Sequence, residues 1–414
     1  MKRIAIIGGG AAGLVAAYYA KKEDTSVVVY EKNGVVGKKL RLTGNGRCNY
    51  SNADLSISHF EHSRGYSEPD FMDSFALEDD LKLIDKVITD DGNNQFTGFL
   101  NEIGIVSCEH NGYFYPLSER AGEMTDVLFG ALKRRGVDFR LSAPVEEIMT
   151  DSEGKFVIGE DLYDSVILAC GGKAAPFTGS DGGGYRLARS FGHTVTYTYP
   201  SLVPLLVRNH ITDELAGVRV KGRVKGFYDD VNAGCNEGEI QFTKDWISGI
   251  PVLQVSRRLT RPIEEKRAVC LEMDFLSFLG ENENDAFLEK RLSNLGDLEL
   301  DLFFEGILPD KLYRFLLSEF RKLDYHETFE TDTDKARFLD FIRHYRIEIT
   351  GHAGFPQAQC TRGGVLLSEV GDHMESLKTP GVFFAGEMLD VDGDCGGYNL
   401  QWAYSSGRKA GENA

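Results

Sequence analysis

Residues 4–13 read IAIIGGGAAG, an apolar run that stops at a glycine-rich turn. The apolar residues before Gly8 predict a buried β-strand, and the composition of residues 11–21 predicts a helix after the turn. At a strand-to-helix turn of this kind, Gly8 permits the tight bend and Gly10 lets the backbone approach a pyrophosphate. Gly13 allows the helix to lie close to the sheet. The stretch therefore predicts a dinucleotide-binding fold.

The second strand of the same unit is predicted to end on a carboxylate. Residues 26–30 form another apolar run, and Glu31 follows it, 18 residues after the last glycine of the turn. An acid at this position accepts both hydroxyls of an adenosine ribose and disfavours a 2′-phosphate. We therefore assign Glu31, its neighbour Lys32 and the helix-start residues Ala11 and Ala12 to the cofactor site. These residues alone do not distinguish FAD from NAD.

Two kinds of sequence divide the chain. Residues 1–190 and 346–414 contain short apolar runs that end in glycine pairs, which is typical of buried parallel strands that stop at a ligand crevice. Between them, alternation such as that in residues 224–228 predicts antiparallel strands, and stripes of apolar residues predict packed helices. The stripes are Leu312, Phe315, Leu316 and Phe320, then Phe338, Phe341, Ile342 and Tyr345. We expect an α/β protein with a Rossmann-like domain over 1–192 and 346–414, interrupted by a mixed β-barrel-like and helical substrate domain over 193–345.

Composition and charge narrow the class of protein. The 414 residues include 46 lysines and arginines against 64 aspartates and glutamates, a formal net charge of −18. This acidic balance predicts that neither nucleic acid nor a membrane surface is a partner. The apolar run at the start stops at Gly8, and no run reaches the length of a membrane helix, so we expect a cytoplasmic protein. Seven scattered cysteines without zinc-type spacing predict thiols in a reducing compartment and no metal site.

Several longer stretches resemble one family of flavoproteins. They are GKKLRLTGNGRCNYSN (37–52), TGSDGGGYRLARSFGH (178–193), PSLVPL (200–205), GGV (363–365) and PGVFFAGEMLDVDGDCGGYNLQWAYSSGRKAG (380–411). In these stretches the chain is similar to the bacterial aminoacetone oxidase, or bile-acid-inducible flavoprotein, family of the glutathione reductase superfamily. The resemblance spans the whole chain and implies that the cofactor is FAD. The Rossmann-like domain is then an FAD-binding domain.

The resemblance assigns residues of the first domain to contacts with FAD. Residues 37–52 are expected to wrap the pyrophosphate and ribityl chain, with basic side chains near the phosphates and glycines that admit backbone amides. The residues taken from this loop are Lys38, Lys39, Gly46, Arg47 and Asn49, of which Arg47 and Asn49 are expected beside the isoalloxazine. Val145, in the strand-like run 144–149, is expected to meet the adenine through its backbone. Gly171 and Gly172 resemble the turn by which such chains leave the adenosine half of the site.

The C-terminal stretch is expected at the flavin ring. Residues 382–385 predict a strand, and a helix is predicted from about Asn399 to Gly411, so its N-terminus can point at the pyrimidine edge of the flavin. A positive helix end there stabilises a reduced, anionic flavin. The assigned residues are Gly386, Glu387, Asp394, Gly396, Gly397, Tyr398, Asn399 and Leu400. Asp394 has an alternative role as a loop cap.

For the catalytic residues and the reaction, the sequence is compatible with several alternatives. Candidates for proton transfer are His352, Tyr398 and Cys395, and His352 serves equally well as a structural hydrogen-bonding residue. The leading hypothesis is an FAD-dependent reductase or dehydrogenase for a small organic substrate, with NADH or NADPH as partner. No second glycine motif provides nicotinamide with its own domain, so the two substrates would share one pocket. The alternatives are an amine or aminoketone oxidase that uses O2 and a non-catalytic flavin-binding redox protein. An RNA-modifying flavoprotein is disfavoured by the acidic charge, and the sequence does not give the oligomeric state.

Overall fold

The structure is a computed structural model that describes residues 1–63, 74–90, 92–277, 286–288, 290–291, 304–323 and 332–414. The chain forms two compact units. The first, here called the Rossmann unit, comprises Met1–Pro200 and Gln359–Ala414. The second, here called the inserted unit, comprises Ser201–Ala358.

The helices and strands are numbered along the chain. The strands are β1 (Lys2–Ile7), β2 (Thr25–Glu31), β3 (Ser51–Asn52), β4 (Phe60–Glu61), β5 (Ser107–His110), β6 (Tyr113–Pro116), β7 (Asp138–Leu141), β8 (Met149–Thr150), β9 (Phe156–Ile158), β10 (Asp161–Tyr163), β11 (Ser165–Leu168), β12 (Tyr199–Ser201), β13 (Leu205–Leu206), β14 (Arg219–Tyr228), β15 (Val231–Phe242), β16 (Ile247–Ser248), β17 (Val269–Asp274), β18 (Tyr345–Glu348), β19 (Gly351–His352), β20 (Cys360–Arg362), β21 (Val382–Phe384) and β22 (Asp392–Gly393). The α-helices are α1 (Ala11–Ala20), α2 (Ser74–Thr89), α3 (Gly92–Glu102), α4 (Ala121–Arg134), α5 (Gly184–Ser190), α6 (Asn209–Leu215), α7 (Ile250–Glu264), α8 (Asp310–Arg321), α9 (Asp332–Arg343) and α10 (Tyr398–Asn413). Short 3₁₀ turns lie at Leu40–Gly46, Ile57–His59, Pro176–Thr178, Leu367–Glu369 and Gly386–Met388.

A five-stranded parallel sheet in the order β21-β11-β1-β2-β7 forms the centre of the Rossmann unit. Ile7 at the end of β1 lies between Leu168 of β11 and Tyr30 of β2, so three strands end at the same edge. All three residues are buried, because both faces of a parallel sheet are covered by other elements. The predicted strand, helix, strand order at the start of the chain and the Rossmann-like fold class are confirmed.

The first and last helices of the Rossmann unit approach each other closely. A Cβ on Gly407 of α10 would lie 2.6 Å from the carbonyl oxygen of Ala12, and one on Gly411 would lie 2.4 Å from that of Ala16. Real Cβ atoms do not approach backbone oxygens so closely. Glycine is therefore required at both positions of α10 for this close packing against the backbone of α1.

The inserted unit contains a seven-stranded sheet in the order β18-β17-β14-β15-β16-β13-β19. Its longest strands, β14 and β15, pair antiparallel, as the alternating sequence predicts. Leu312 and Leu316 of α8, and Phe338 and Ile342 of α9, are fully or almost fully buried, so the predicted stripes are packing faces. Antiparallel strands followed by helices are confirmed for this part of the chain.

The inserted unit begins at Ser201 and ends at Ala358, so both of its boundaries lie further along the chain than the predicted 193 and 345. The C-terminal difference has a clear cause, because β18 pairs with β17 and β19 pairs with β13 inside the seven-stranded sheet. The chain therefore stays in the inserted unit until Ala358. Across the described residues, no helix combines the length and the apolar content that a membrane crossing requires.

Candidate functional site

The glycine turn at the carboxyl edge of the parallel sheet cannot tolerate side chains at two positions. Gly8 has φ +113°, and a Cβ there would lie 2.4 Å from the carbonyl oxygen of Ala169. A Cβ on Gly13 would lie 1.9 Å from the carbonyl oxygen of Gly8. A side chain at either position would push the turn away from its neighbours, so these glycines set the place where α1 begins.

The N-terminus of α1 presents unpartnered backbone amides. The first intrahelical bond runs from the N–H of Leu14 to the carbonyl oxygen of Gly10 at 2.9 Å. Within the described part of the chain, the N–H groups of Gly10, Ala11, Ala12 and Gly13 donate to no acceptor, and no side chain caps the helix. A Cβ added to Gly10 would meet nothing within 4 Å, so open space adjoins these amides. Four orphan donors and the positive helix end form a binding site for an anion such as a pyrophosphate.

Glu31 is buried at the end of β2, beside the glycine turn. Its Oε2 accepts the N–H of Gly9 at 2.9 Å, and its Oε1 accepts the N–H and the side-chain Nδ2 of Asn33 at 2.8 and 2.7 Å. These bonds fix the carboxylate against the turn. Lys32 instead forms an ion pair with Asp181 at 2.8 Å. Glu31 therefore contacts the glycine turn directly, whereas the ammonium group of Lys32 is paired with Asp181.

Each cation of the predicted wrapping loop has an acceptor in the chain itself. Lys39 Nζ lies 2.9 Å from Glu387 Oε2, and Lys38 Nζ donates to the carbonyl of Phe177 at 2.7 Å. Farther along, Arg47 Nη1 lies 3.5 Å from Glu119 Oε2. A bound phosphate would therefore compete with these oxygens for the lysines and the arginine.

The backbone of the same loop is fixed by contacts with its surroundings. The N–H of Gly37 donates to the carbonyl of Gly9 at 2.7 Å, which ties the loop to the glycine turn. Gly46 has φ +83°, and a Cβ there would meet nothing within 4 Å, so the backbone is open to a ligand at this point. Asn49 donates its side-chain amide to the carbonyls of Ser51 and Phe114 at 3.1 and 3.0 Å. Asn49 thus supports the loop from within.

Glu387 lies in a polar cluster beside Gly172. A Cβ on Gly172 would lie 2.4 Å from Thr361 Oγ1 and 2.8 Å from Glu387 Oε1. Glu387 Oε1 accepts the N–H of Thr361 at 2.9 Å, and Ser180 Oγ accepts Lys39 Nζ at 3.0 Å. The structure brings the predicted residues Lys39, Gly172 and Glu387 together. It also adds Ser180, which lies in the quoted stretch 178–193 but was not assigned a role, and Thr361, which lies outside the quoted stretches.

The predicted adenine contact lies outside regular structure. The strand expected over 144–149 is wrong, because only Met149–Thr150 pair in a sheet and Pro144 has no N–H to donate. Within the described residues, neither the N–H nor the carbonyl of Val145 forms a hydrogen bond. Its peptide groups are therefore available to the edge of a base. Gly171, the other residue predicted near the adenosine, has φ +73° and stands close to Ser180.

A second set of orphan amides lies at the start of α10. Gly397, with φ +96°, precedes the helix, and the first bond at this end runs from the N–H of Gln401 to its carbonyl at 2.9 Å. In the described structure, the N–H groups of Tyr398, Asn399 and Leu400 have no acceptor. Those of Gly396 and Gly397 have none either. The start of α10, like that of α1, therefore offers the donors that an anionic group requires.

The turn before α10 is supported by side chains. Asn399 Oδ1 accepts the N–H of Gly393, and its Nδ2 donates to the carbonyl of the same residue, both at 2.9 Å. Asp394 Oδ2 lies 2.9 Å from His59 Nδ1, so its alternative role as a loop-supporting residue agrees with its position. The peptide groups of Gly386 are engaged internally, because its N–H donates to Ser406 and its carbonyl accepts Trp402 Nε1.

His59 contacts two predicted site residues, Asp394 and Tyr398, although the sequence did not indicate it. Its ring stacks on Tyr398 with the ring centroids 4.4 Å apart, and its Nε2 lies 3.1 Å from Asp54 Oδ2. The Tyr398 side chain is buried, and this burial raises the pKa of its phenol, which therefore stays protonated at neutral pH. Nothing in the local sequence distinguishes His59 from a surface loop residue.

The three proton-transfer candidates belong to different units of the chain. Tyr398 and Cys395 belong to the Rossmann unit, and Cys395 Sγ lies 3.7 Å from Gln359 Oε1. His352 belongs to the inserted unit, where its Nδ1 accepts the N–H of Gly354 at 3.1 Å and its Nε2 lies 3.5 Å from Glu264. Burial lowers the pKa of His352, so it is neutral at physiological pH. These contacts match the structural role for His352.

Comparison with known proteins identifies what the chain is similar to. The family described as "HI0933-like protein Rossmann domain" matches residues 2–413. A 3-dehydro-bile acid delta(4,6)-reductase of Clostridium scindens is 36% identical over 100% of this chain and 99% of its own length. A ribosomal RNA dihydrouridine synthase of Haemophilus influenzae is 28% identical over 97% of this chain and 95% of its own. The open conformation of a flavocytochrome c3 fumarate reductase aligns with a TM-score of 0.49 and 16% identity, over 100% of this chain and 78% of that one.

Proposed function

Since the chain belongs to the HI0933-like Rossmann family and is an FAD-dependent oxidoreductase, we propose that it is a reductase of small organic substrates that uses NADH or NADPH. The substrate class is an alkene conjugated to a carbonyl group. When bound, FAD supplies N5, which accepts and gives hydride. The observation that carries the proposal is the 36% identity to a reductase over the full length of both chains.

The two sets of orphan amides support a seating of FAD in the Rossmann unit. In this proposal the amides of Gly10, Ala11 and Ala12 hold the pyrophosphate, and Glu31 accepts the ribose hydroxyls. The unpaired peptide groups of Val145 meet the adenine. The amides at the start of α10 face the pyrimidine edge of the flavin, where their positive end stabilises negative charge on the reduced ring.

The polar cluster around Glu387 has a positioning role in the proposal. Its carboxylate holds Lys39 by an ion pair of 2.9 Å and fixes the backbone of Thr361 by a hydrogen bond of 2.9 Å. The lysine therefore stays beside the glycine pair at 171 and 172 instead of extending into water. His59 and Asp394 support the approach to α10 in the same way, through the bond of 2.9 Å between them.

The sequence contains a single glycine motif at a strand-turn-helix unit, and in this proposal that motif and Glu31 bind FAD. No second motif of this kind is left to bind the nicotinamide dinucleotide. Nicotinamide and organic substrate are therefore proposed to use the same pocket in turn. Such a scheme is ping-pong: NAD(P)+ leaves before the alkene binds. Initial-rate plots with both substrates varied should then give parallel lines, and intersecting lines would contradict the shared pocket.

Anaerobic stopped-flow spectroscopy of the FAD-loaded protein tests the reaction class. Mixing with NADH or NADPH should bleach the flavin, and subsequent mixing with a cyclic enone should restore its absorbance. The oxidase alternative predicts bleaching by amines or aminoketones and rapid recovery with O2. Bleaching by amines but not by either nicotinamide would contradict the reductase. Turnover with none of these compounds would favour the non-catalytic redox protein.

A second candidate is reduction of uridine in ribosomal RNA, because relatives at 28% and 27% identity are named ribosomal RNA dihydrouridine synthases. The C5–C6 double bond of uracil is also conjugated to a carbonyl group. The net charge of −18 disfavours this candidate, since RNA binding depends on neutralising phosphates. Mass spectrometry of unmodified ribosomal RNA incubated with enzyme and NADPH decides between them, as only the second candidate predicts a gain of two mass units on uridine.

A further inference from the structure

A hairpin of the Rossmann unit gathers three different metal-binding side chains. Cys108 and His110 lie two residues apart in β5, so both side chains project from the same face of the strand. β6 returns antiparallel to β5, and Glu119 follows three residues after its end. One donor atom from each of the three residues lies within 4.8 Å of the other two. The chain thus places a thiol, an imidazole and a carboxylate around one point.

The position of Glu119 is fixed by the backbone. This residue has φ +48°, and its N–H donates to the carbonyl of Pro116 at 2.8 Å, which closes a turn after β6. Its Oε1 lies 3.3 Å from His110 Nε2. The turn therefore returns the carboxylate to the strand that carries the other two donors.

The separations suit a small tetrahedral ion. Bonds of about 2.0–2.3 Å to Zn²⁺ place neighbouring ligand atoms roughly 3.3–3.8 Å apart, which small side-chain rotations reach from the observed distances. Thiolate and imidazole select zinc over magnesium or calcium. The His110 side chain is 59% exposed, so water has access to a fourth position.

We propose that Cys108, His110 and Glu119 bind one Zn²⁺ ion, with a water molecule as the fourth ligand. The sequence did not indicate this site, because a Cys-x-His pair and a distant Glu match no zinc spacing. Burial, and then the charge of Glu119, raises the pKa of the Cys108 thiol, so the metal-free protein carries a protonated thiol. Zinc displaces that proton into solvent as the Zn–S bond forms.

Arg47 competes with the metal for Glu119. Its Nη1 lies 3.5 Å from Glu119 Oε2, and its guanidinium also lies over the ring of Tyr115 at 5.2 Å from the centroid. Both Arg47 and Glu119 are accessible to solvent, so the ion pair is weak and yields to a divalent ion. Removal of Arg47 should therefore strengthen zinc binding, which a general loss of structure would not do.

Equilibrium dialysis of the FAD-loaded protein against buffered Zn²⁺, with metal counted by mass spectrometry, tests the proposal. The protein should bind one tight ion per chain. Cys108→Ser and Glu119→Gln should each weaken that affinity by about 10- to 100-fold or more, and Arg47→Gln should strengthen it severalfold. The matched controls are Cys235→Ser and His373→Ala, which alter exposed residues elsewhere and should leave zinc affinity unchanged.

Folding of each variant is checked by circular dichroism, so that loss of zinc is not confused with loss of structure. X-ray absorption at the zinc edge should show one sulfur ligand at about 2.3 Å. Equal affinity in the wild type and Cys108→Ser, loss of binding in Cys235→Ser, or a shell of nitrogen and oxygen alone would each overturn the site.

Discussion

The Rossmann unit and the inserted unit depend on their sequences in different ways. In the Rossmann unit, single glycines are required by the backbone: a Cβ on Gly13 would lie 1.9 Å from an oxygen of Gly8. In the inserted unit, the described core rests on apolar side chains such as Phe338 and Leu312, which others of similar volume can replace. The proposed cofactor site can therefore be predicted from residue types, whereas the apolar core of the inserted unit is compatible with many different sequences.

The largest expected effect lies in the inserted unit. Phe338 is 1% exposed, with ring centroids of Phe320 and Phe304 at 4.9 and 5.6 Å. Phe338→Ala should lower the free energy of unfolding by about 3–5 kcal/mol, because it leaves a cavity. Urea unfolding followed by circular dichroism measures this change.

The control for Phe338 is Leu323→Ala, at a side chain that is 55% exposed, with an expected change within about 0.5 kcal/mol. Below the unfolding transition, Phe338→Ala should bind FAD with unchanged affinity. A large loss of FAD affinity in the folded variant would contradict the proposal that residues of the Rossmann unit form the FAD site.

Two glycines of the turn, Gly13 and Gly10, should respond differently to substitution by alanine. Gly13→Ala should destabilise the apoprotein by about 1–3 kcal/mol, because the new methyl group meets the carbonyl of Gly8. Gly10→Ala should leave the melting temperature of the apoprotein unchanged, because its Cβ enters open space. That same methyl group would occupy the space proposed for the pyrophosphate, so FAD affinity should fall at least tenfold.

Thermal unfolding of the apoproteins and titration with FAD measure the two glycine effects separately. If Gly10→Ala binds FAD as the wild type does, the pyrophosphate does not lie against α1. If Gly13→Ala is as stable as the wild type, the sterics of the turn are less strict than the contact implies.

A smaller effect is expected at Glu31. Its two oxygens accept three N–H groups, from Gly9 and Asn33. Glu31→Gln replaces one acceptor by a donor that faces N–H groups, so FAD affinity should fall about tenfold, or about 1.4 kcal/mol. The control Glu23→Gln changes an exposed residue and should leave the affinity as it is. Equal affinities for the two variants would argue against the ribose contact.

The smallest expected effect is on pH dependence, and it should be shared by the two units. Burial lowers the pKa of His193 in the Rossmann unit and of His352 in the inserted unit below their ordinary value of 6.5. As the pH falls through 6.5, the unfolded chain takes up protons first, so stability present above that pH is lost below it.

Melting temperatures between pH 8 and pH 5.5 test the histidines. The wild type should lose stability over the acid half of this range, and His193→Asn and His352→Asn should each lose less than the wild type. A flat profile for the wild type, or variants that follow it unchanged, would show that neither histidine is kept neutral by the fold.

The part of the site that is local in sequence could be predicted. The strand, the glycine turn and helix α1 lie within twenty residues, and the steric reason for Gly8 and Gly13 is visible in the residue type. The strand at Val382–Phe384 could be predicted equally well, because it is a short apolar run. The helix that begins at Tyr398 could be predicted too, because a glycine-rich turn precedes it.

The missed residues are brought to the site by contacts distant in sequence. Thr361 Oγ1 accepts the N–H of Lys173, which follows the glycine pair at 171 and 172, and His59 contacts Asp394 across 335 residues. The acceptors of the basic loop, such as Glu387 for Lys39, come from segments equally far away. No period or spacing encodes such pairs, so the sequence indicated the cations without showing that the chain neutralises them.

Amide hydrogen exchange, compared between the apoprotein and the FAD-loaded protein, tests the central claim most directly. The orphan N–H groups of residues 10–13 and 398–400 should exchange rapidly without FAD and become protected when it binds, while α9 of the inserted unit should change little. Unchanged exchange at the start of α1, with FAD bound and the flavin spectrum present, would contradict the proposed seating of the cofactor.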